Sequence, residues 1–254
     1  PYISVKRKGA QNPSLIRKID LGEIESTLIE TVRLITMAPE LEGFIEASKL
    51  ITDRGIPISL GHTDASYEDM KRAFEAGCTR VTHFPNGMNT LHHRELGCIG
   101  AVFSMPFSVE MIIDGVHSLP EFVKMVYDIK GPERIMIVTD TIDAAGMPDG
   151  EYELGGLKVI LKNGRPTLED GTIAATVLMF NQAVQNFKSF TGCTLKDLAR
   201  VSSYNSLRLL GIEDRGRIAG GYLANLVLLD RNLKVVETVL NGKTAFKEIG
   251  RAHV

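Results

Sequence analysis

The chain has 254 residues, of which 44 % are apolar and 24 % charged, enough for one large hydrophobic core. Its 29 Lys and Arg nearly balance 31 Asp and Glu, so no overall field favours nucleic acid or an anionic membrane, and an anionic ligand would need a local site. The three cysteines are widely spaced and form no C-x-x-C, which points to free thiols in a reducing compartment. No apolar run is long enough to span a bilayer and the start has no signal-peptide pattern, so a cytoplasmic location is expected.

From about residue 31 the apolar pattern alternates between strand and helix. "TVRLITMAP" reads as a buried strand, and the helical stretch 40–55 closes on Gly55. "IPISLGH" is the next strand, followed by a capped amphipathic helix over 66–77. "TRVTHF" is a strand with a long Gly- and His-rich loop behind it. "SVEMIIDG" and "ERIMIVTD" are further strands on either side of a helix over 119–131. This order implies right-handed βαβ units and a parallel sheet covered on both faces. After Asp140 the pattern changes. Residues 151–171 read as a β-hairpin excursion turning at Asn163-Gly164, then helices at 176–189, 194–203 and 205–211. The stretch 216–246 is strand and turn, with a second hairpin signal at Asn241-Gly242. The tail 248–254 continues no element and looks like translated adapter sequence, so it is set apart, and His253 with it.

Four successive strands end on polar groups: His62, His83, Asp114 with His117, and Asp140. In a parallel α/β barrel those ends open on one face. His62 and His83 lie one βα unit apart, near enough to share an ion. Neutral imidazole is a standard Zn²⁺ ligand, and a catalytic site uses about three protein ligands with one position open. Each group alone has a plainer reading: a hydrogen-bonded loop histidine, or for Asp140 a helix cap. The adjacent His92-His93 pair reads as a solvated loop. Arg94 follows it, on the same face as the histidines, and with "PNGMN" upstream could offer a guanidinium and an amide to an anion, or be an ordinary surface arginine.

"LGHTDASYEDMKRAFEAGCTRVTHFPNGMNTLHHRELG", "IIDGVH", "IVTDTIDAAGMPDGEYELGG" and "GRIAGGYLANLVLLD" together resemble the N-acetylglucosamine-6-phosphate deacetylases of the amidohydrolase superfamily. The likeness runs from residue 1 to about 247. It implies an α/β fold: a metal-dependent (β/α)₈ TIM barrel over 1–211, incomplete at its first strands, and part of a small β-sandwich over 212–247. It implies one or two divalent ions (Zn or Fe) on His62 and His83, with Asp140 as general base and then general acid. Gln11, Asn86, Gly87, Arg94, His117 and the segment Ile173, Ala174, Ala175, Thr176 would bind the substrate, Arg94 in some members across a dimer interface. The third metal ligand, the glutamate of an H-L-E-G motif, would fall immediately before Pro1, so the chain alone is expected to be inactive.

The implied reaction is hydrolysis of the acetamide of N-acetylglucosamine 6-phosphate, by a homodimer with no nucleic-acid or membrane partner. Three departures keep alternatives open. The family loop L-[AS]-G-S is here "IAAT", in which Ala175 lacks the φ freedom of glycine. Gln11 stands where many members have histidine, and "FPNGM" replaces the commoner F/Y-N-A-M. The alternatives are deacetylation of another amino-sugar phosphate, such as the galactosamine epimer, or a metal-binding homologue without turnover.

Overall fold

A computed structural model describes residues 1–248; the tail residues 249–254, His253 among them, lie outside the described residues. Five parallel strands form the main sheet in sequential order: β1 (Ile35–Met37), β2 (Ile58–Leu60), β3 (Arg80–Val81), β4 (Ser108–Ile112) and β5 (Ile135–Val138). Between them run the helices α2 (Phe44–Thr52), α3 (Tyr67–Glu75), α4 (Gly97–Ser104) and α5 (Pro120–Lys130). Sequential parallel strands with interposed helices make this a partial (β/α) barrel, open between β5 and β1.

Two helices depart from the sequence reading. The short α1 (Leu21–Thr27), capped by Asp20, precedes the first strand. The loop expected behind β3 contains α4, whose sequence GCIGAVFS is apolar nearly all round and so shows no helical period. Elsewhere local chemistry agrees with the structure. Ser66 and Asp69 form a reciprocal capping box at the start of α3.

The two faces of the sheet differ sharply. Met37, Leu60, Val81, Val109 and Ile135 are register partners on one face, all buried beneath the helices. On the other face the partners are Thr36, Ser59, Arg80 and Ser108, with Glu110 one pleat further on. Thr82 donates to Ser59 at 2.7 Å and lies 3.0 Å from the Thr36 hydroxyl. The interior of this barrel is therefore polar where many barrels pack Val, Ile and Leu. Gly61 is needed there, because a Cβ would come within 2.8 Å of the Thr82 Cβ.

The excursion after β5 is a three-stranded antiparallel meander, β6 (Gly150–Leu154), β7 (Leu157–Lys162) and β8 (Arg165–Leu168), where a hairpin is expected from the sequence. It has its own small core of Val159, Leu161, Leu168 and Ala174. Helix α6 (Phe180–Thr191) starts later than the pattern suggests, since Thr172 and Ala174 are bonded to β8 and Thr176 and Leu178 to residues 139–142 just after β5. Then come α7 (Leu195–Ala199), a π-helical turn (Arg200–Tyr204) and α8 (Asn205–Leu209). The last sheet is β9 (Leu226–Leu229), β10 (Val235–Leu240) and β11 (Lys243–Lys247), all antiparallel.

Candidate active site

His62 and His83 follow β2 and β3, and their Nε2 atoms lie 3.0 Å apart with the rings nearly perpendicular. The other nitrogen of His62, Nδ1, is 2.9 Å from the carbonyl oxygen of Arg7. A carbonyl only accepts, so Nδ1 carries the proton and Nε2 keeps its lone pair. A backbone carbonyl on the far nitrogen is the usual support for a metal-ligating histidine. Gly9 and Gly87 flank this ring; a Cβ on Gly87 would stand 3.1 Å from His62 Nδ1. The amino-terminal segment is fastened by Ser4 N–H to the His62 carbonyl at 2.8 Å and by the Arg7–Asp64 ion pair at 2.8 Å.

His83 is buried, and its Nδ1 has no hydrogen-bond partner. Burial, then the neighbouring His62, push its pKa down to about 4, with Asp140 pulling the other way. The imidazole is thus neutral at pH 7, the form that binds metal. Ligands on one tetrahedral ion at about 2.05 Å would have nitrogens about 3.3 Å apart, close to the spacing here. The converging Nε2 atoms and the His62 tautomer fixed by the Arg7 carbonyl fit a divalent cation. Among the described residues no group of three or more His, Cys, Asp or Glu is gathered, so these two imidazoles are the donor set present.

Asp140 follows β5 and is exposed. His62, His83 and Asp140 all have positive φ, +49°, +31° and +49°, rare for residues with a side chain and a mark of functional sites. Asp140 is held through its backbone. Its carbonyl accepts from Thr176 N–H at 2.8 Å, and the Thr176 hydroxyl donates to the Thr139 carbonyl at 2.6 Å.

A cavity of about 500 Å³ opens over these groups. Gln11, Asn86, Gly87, His117, Ile173 and Ala175 line it together with His62, His83 and Asp140. His117 is oriented by Asp114: Nδ1 donates to Oδ2 at 2.7 Å, while the N–H groups of Val116 and His117 donate to Oδ1, each at 2.8 Å. Burial pushes the Asp114 carboxyl up, but these donors outweigh it and hold it below the usual carboxylate range.

Three residues expected at the substrate fall elsewhere. Ala174 is fully buried in the core of the meander. Thr176 is turned into the backbone: its hydroxyl is occupied by the Thr139 carbonyl and by Leu178 N–H, so it positions Asp140 and does not line this cavity. Arg94 is exposed on its loop, bonded to His93 at 2.8 Å, and does not reach the cavity. The sequence reading missed Gly9, Thr141 and Leu154, which also line it, and the Arg7 carbonyl. No residue-type signal marks a carbonyl or a glycine as a support for histidine.

The sequence matches the amidohydrolase family over residues 34–245. The chain belongs to the amidohydrolase family. Among characterised amidohydrolases, the N-acetylglucosamine-6-phosphate deacetylase of Bacillus subtilis is 36 % identical over 251 residues, covering 97 % of this chain and 63 % of that protein. The N-acetylgalactosamine-6-phosphate deacetylase of Escherichia coli O157:H7 is 33 % identical over 250 residues, 96 % of this chain and 66 % of that protein. The crystal structure of the Thermotoga maritima N-acetylglucosamine-6-phosphate deacetylase superposes with a TM-score of 0.94 at 46 % identity, covering 98 % of this chain and 68 % of that one. The chain thus spans just under two-thirds of the length of curated relatives such as the Bacillus subtilis protein.

Proposed function

We propose that this amidohydrolase chain carries the catalytic face of a deacetylase acting on N-acetyl amino-sugar 6-phosphates, converting amide and water to acetate and amine. The observation that carries the reading is the pair of His62 and His83 Nε2 atoms converging at 3.0 Å beside Asp140, in a cavity of sugar size. His62 and His83 would hold a divalent ion, zinc or iron, with the third donor a glutamate outside residues 1–254. Such an ion lowers the pKa of water toward about 7 and polarises a carbonyl. Asp140 takes a proton from the attacking water and returns it to the amide nitrogen, which leaves poorly without one. His117, held by Asp114, and the amide of Gln11 are donors for the acetyl oxygen and sugar, and Asn86 and Gly87 border the phosphate.

The exposure of Arg94 supports a homodimer in which its guanidinium meets the phosphate in the partner subunit's cavity. Three buried unpaired cysteines support a reducing, cytoplasmic setting. A second reading has a specific observation behind it: the galactosamine-specific relative is nearly as similar as the glucosamine-specific one. The deciding experiment is acetate release from both N-acetylglucosamine and N-acetylgalactosamine 6-phosphate by the protein with the glutamate-bearing segment before Pro1 restored, with Zn²⁺ supplied and then chelated. Chelator-sensitive release from one epimer assigns the substrate. Release from neither by folded, metal-loaded protein removes the deacetylase reading.

A further inference from the structure

The carboxy-terminal helices carry a second concentration of chemistry that the reaction above does not use. The π-helical turn Arg200–Tyr204 places Tyr204 between two guanidinium groups, Arg217 at 5.2 Å and Arg200 at 5.7 Å from the ring centroid. Arg217 also donates to the Tyr204 hydroxyl at 2.7 Å. Tyr204, Arg208 and Arg217 together border two hollows of about 360 and 510 Å³, the first lined also by Tyr222 and the second by Lys196.

The surrounding carboxylates leave Arg208 and Arg217 of this cluster unpaired. Asp214 is committed to Arg215 through two bonds of 2.7 and 3.0 Å, and Arg200 has Glu133 at 3.4 Å. Asp197 is engaged as a helix cap by Thr194 and by the Tyr127 hydroxyl. Glu213 lines the smaller hollow but forms no ion pair with Arg208 or Arg217, and neither arginine has a carboxylate partner among the described residues. The positive field is felt at the phenol: the Arg217 hydrogen bond and charge, with Arg208 and Arg200 behind it, pull the Tyr204 hydroxyl below its ordinary value. Arg208 and Arg217 thus present two guanidinium groups without carboxylate partners to the same two hollows, a local positive field in a chain whose net charge is −2. Guanidinium forks suit a tetrahedral, multiply charged oxyanion, which several of them can grip at once. π-Helical turns are frequent at ligand sites.

We propose that Arg208 and Arg217, with Tyr204 and Arg200 behind them, form a binding site for a phosphorylated small molecule, separate from the histidine cavity. The inference does not depend on the deacetylase reading. The test is titration of the protein with pyrophosphate in the presence of EDTA, at constant ionic strength. Because the chain has no tryptophan, tyrosine emission reports directly, with calorimetry as the second readout. Saturable binding is expected, weakened at least tenfold in the Arg208→Ala/Arg217→Ala double variant and unchanged in His117→Ala, which alters the other cavity. Arg208→Lys, keeping charge without the fork, should fall between. Circular dichroism and the thermal midpoint check folding, and the exposed single change Arg208→Gln replaces the double variant if that fails to fold. Binding indistinguishable from chloride, binding undiminished in the arginine variants, or loss in His117→Ala alone would overturn the site.

Discussion

Asp140, His62 and His83 share a left-handed backbone, and in the proposed reading Asp140 moves the proton while the two histidines hold the ion. Asp140→Asn keeps the size and removes the base, so turnover of the metal-loaded enzyme should fall by about 10²–10⁴-fold while metal affinity by calorimetry is unchanged. His62→Ala or His83→Ala should instead lose the metal itself, seen as absent stoichiometric Zn²⁺ after dialysis. Thr176→Val deletes the hydroxyl that holds Thr139 and should lower kcat more than it raises KM; an unchanged kcat would contradict its positioning role. Ala175 sits at φ +60°, where glycine is unstrained. Ala175→Gly is expected to raise stability by about 0.5–1 kcal/mol in urea titration, the relief of strain exceeding the entropy that glycine adds to the unfolded chain.

At the level of elements, β3 and β4 set buried charge beneath the histidines. Arg80 is buried with Nε and Nη2 unpaired, and Glu110, on the same face, has its pKa pushed up to about 7 by burial against the pull of Arg80. His83, depressed to about 4 from 6.5, lends stability that is in place above about pH 6.5 and lost as pH falls toward 4. Glu110, raised to about 7 from 4.5, works the other way: stability present below 4.5 is lost as pH rises to 7. The two oppose each other over a shared window. In metal-free Glu110→Gln the denaturation midpoint should therefore climb with pH between 4 and 6.5 more steeply than in the parent. Lys130 holds α5 to the end of α4, its buried amine donating to the carbonyls of Val102 and Met105, each at 2.7 Å. Lys130→Met strands both acceptors and should cost about 1–3 kcal/mol in chemical unfolding.

Over the whole molecule, the main sheet ends at β1 and β5, each with an unpaired edge. Parallel barrels escape edge pairing by closing, and an open edge templates association. Residues 1–254 alone are expected to self-associate as concentration rises and to show no deacetylation, both measurable by light scattering and acetate assay. Strands β9 to β11 are also exposed, with Val227 and Phe246 more than half uncovered and Leu228 nearly so.

Much of this was legible beforehand, for definite reasons. The period-2 and period-3.6 patterns, the cap ahead of α3 and the turn glycines are local properties, so the βα alternation and the strand-end positions of His62, His83 and Asp140 follow from the sequence. Helix α4 was hidden because burial on every side erases its period, and the meander because the Gly155-Gly156 turn splits into β6 and β7 what reads as one arm of the Asn163-Gly164 hairpin. What only the tertiary structure decided is direction: the Thr176 hydroxyl turned inward, Arg94 left outside, the Arg7 carbonyl brought to His62, and Arg217 brought over Tyr204. A residue's type and spacing are set by its neighbours in the chain. The group its side chain finally meets is set by packing between segments tens of residues apart, and no local pattern records that.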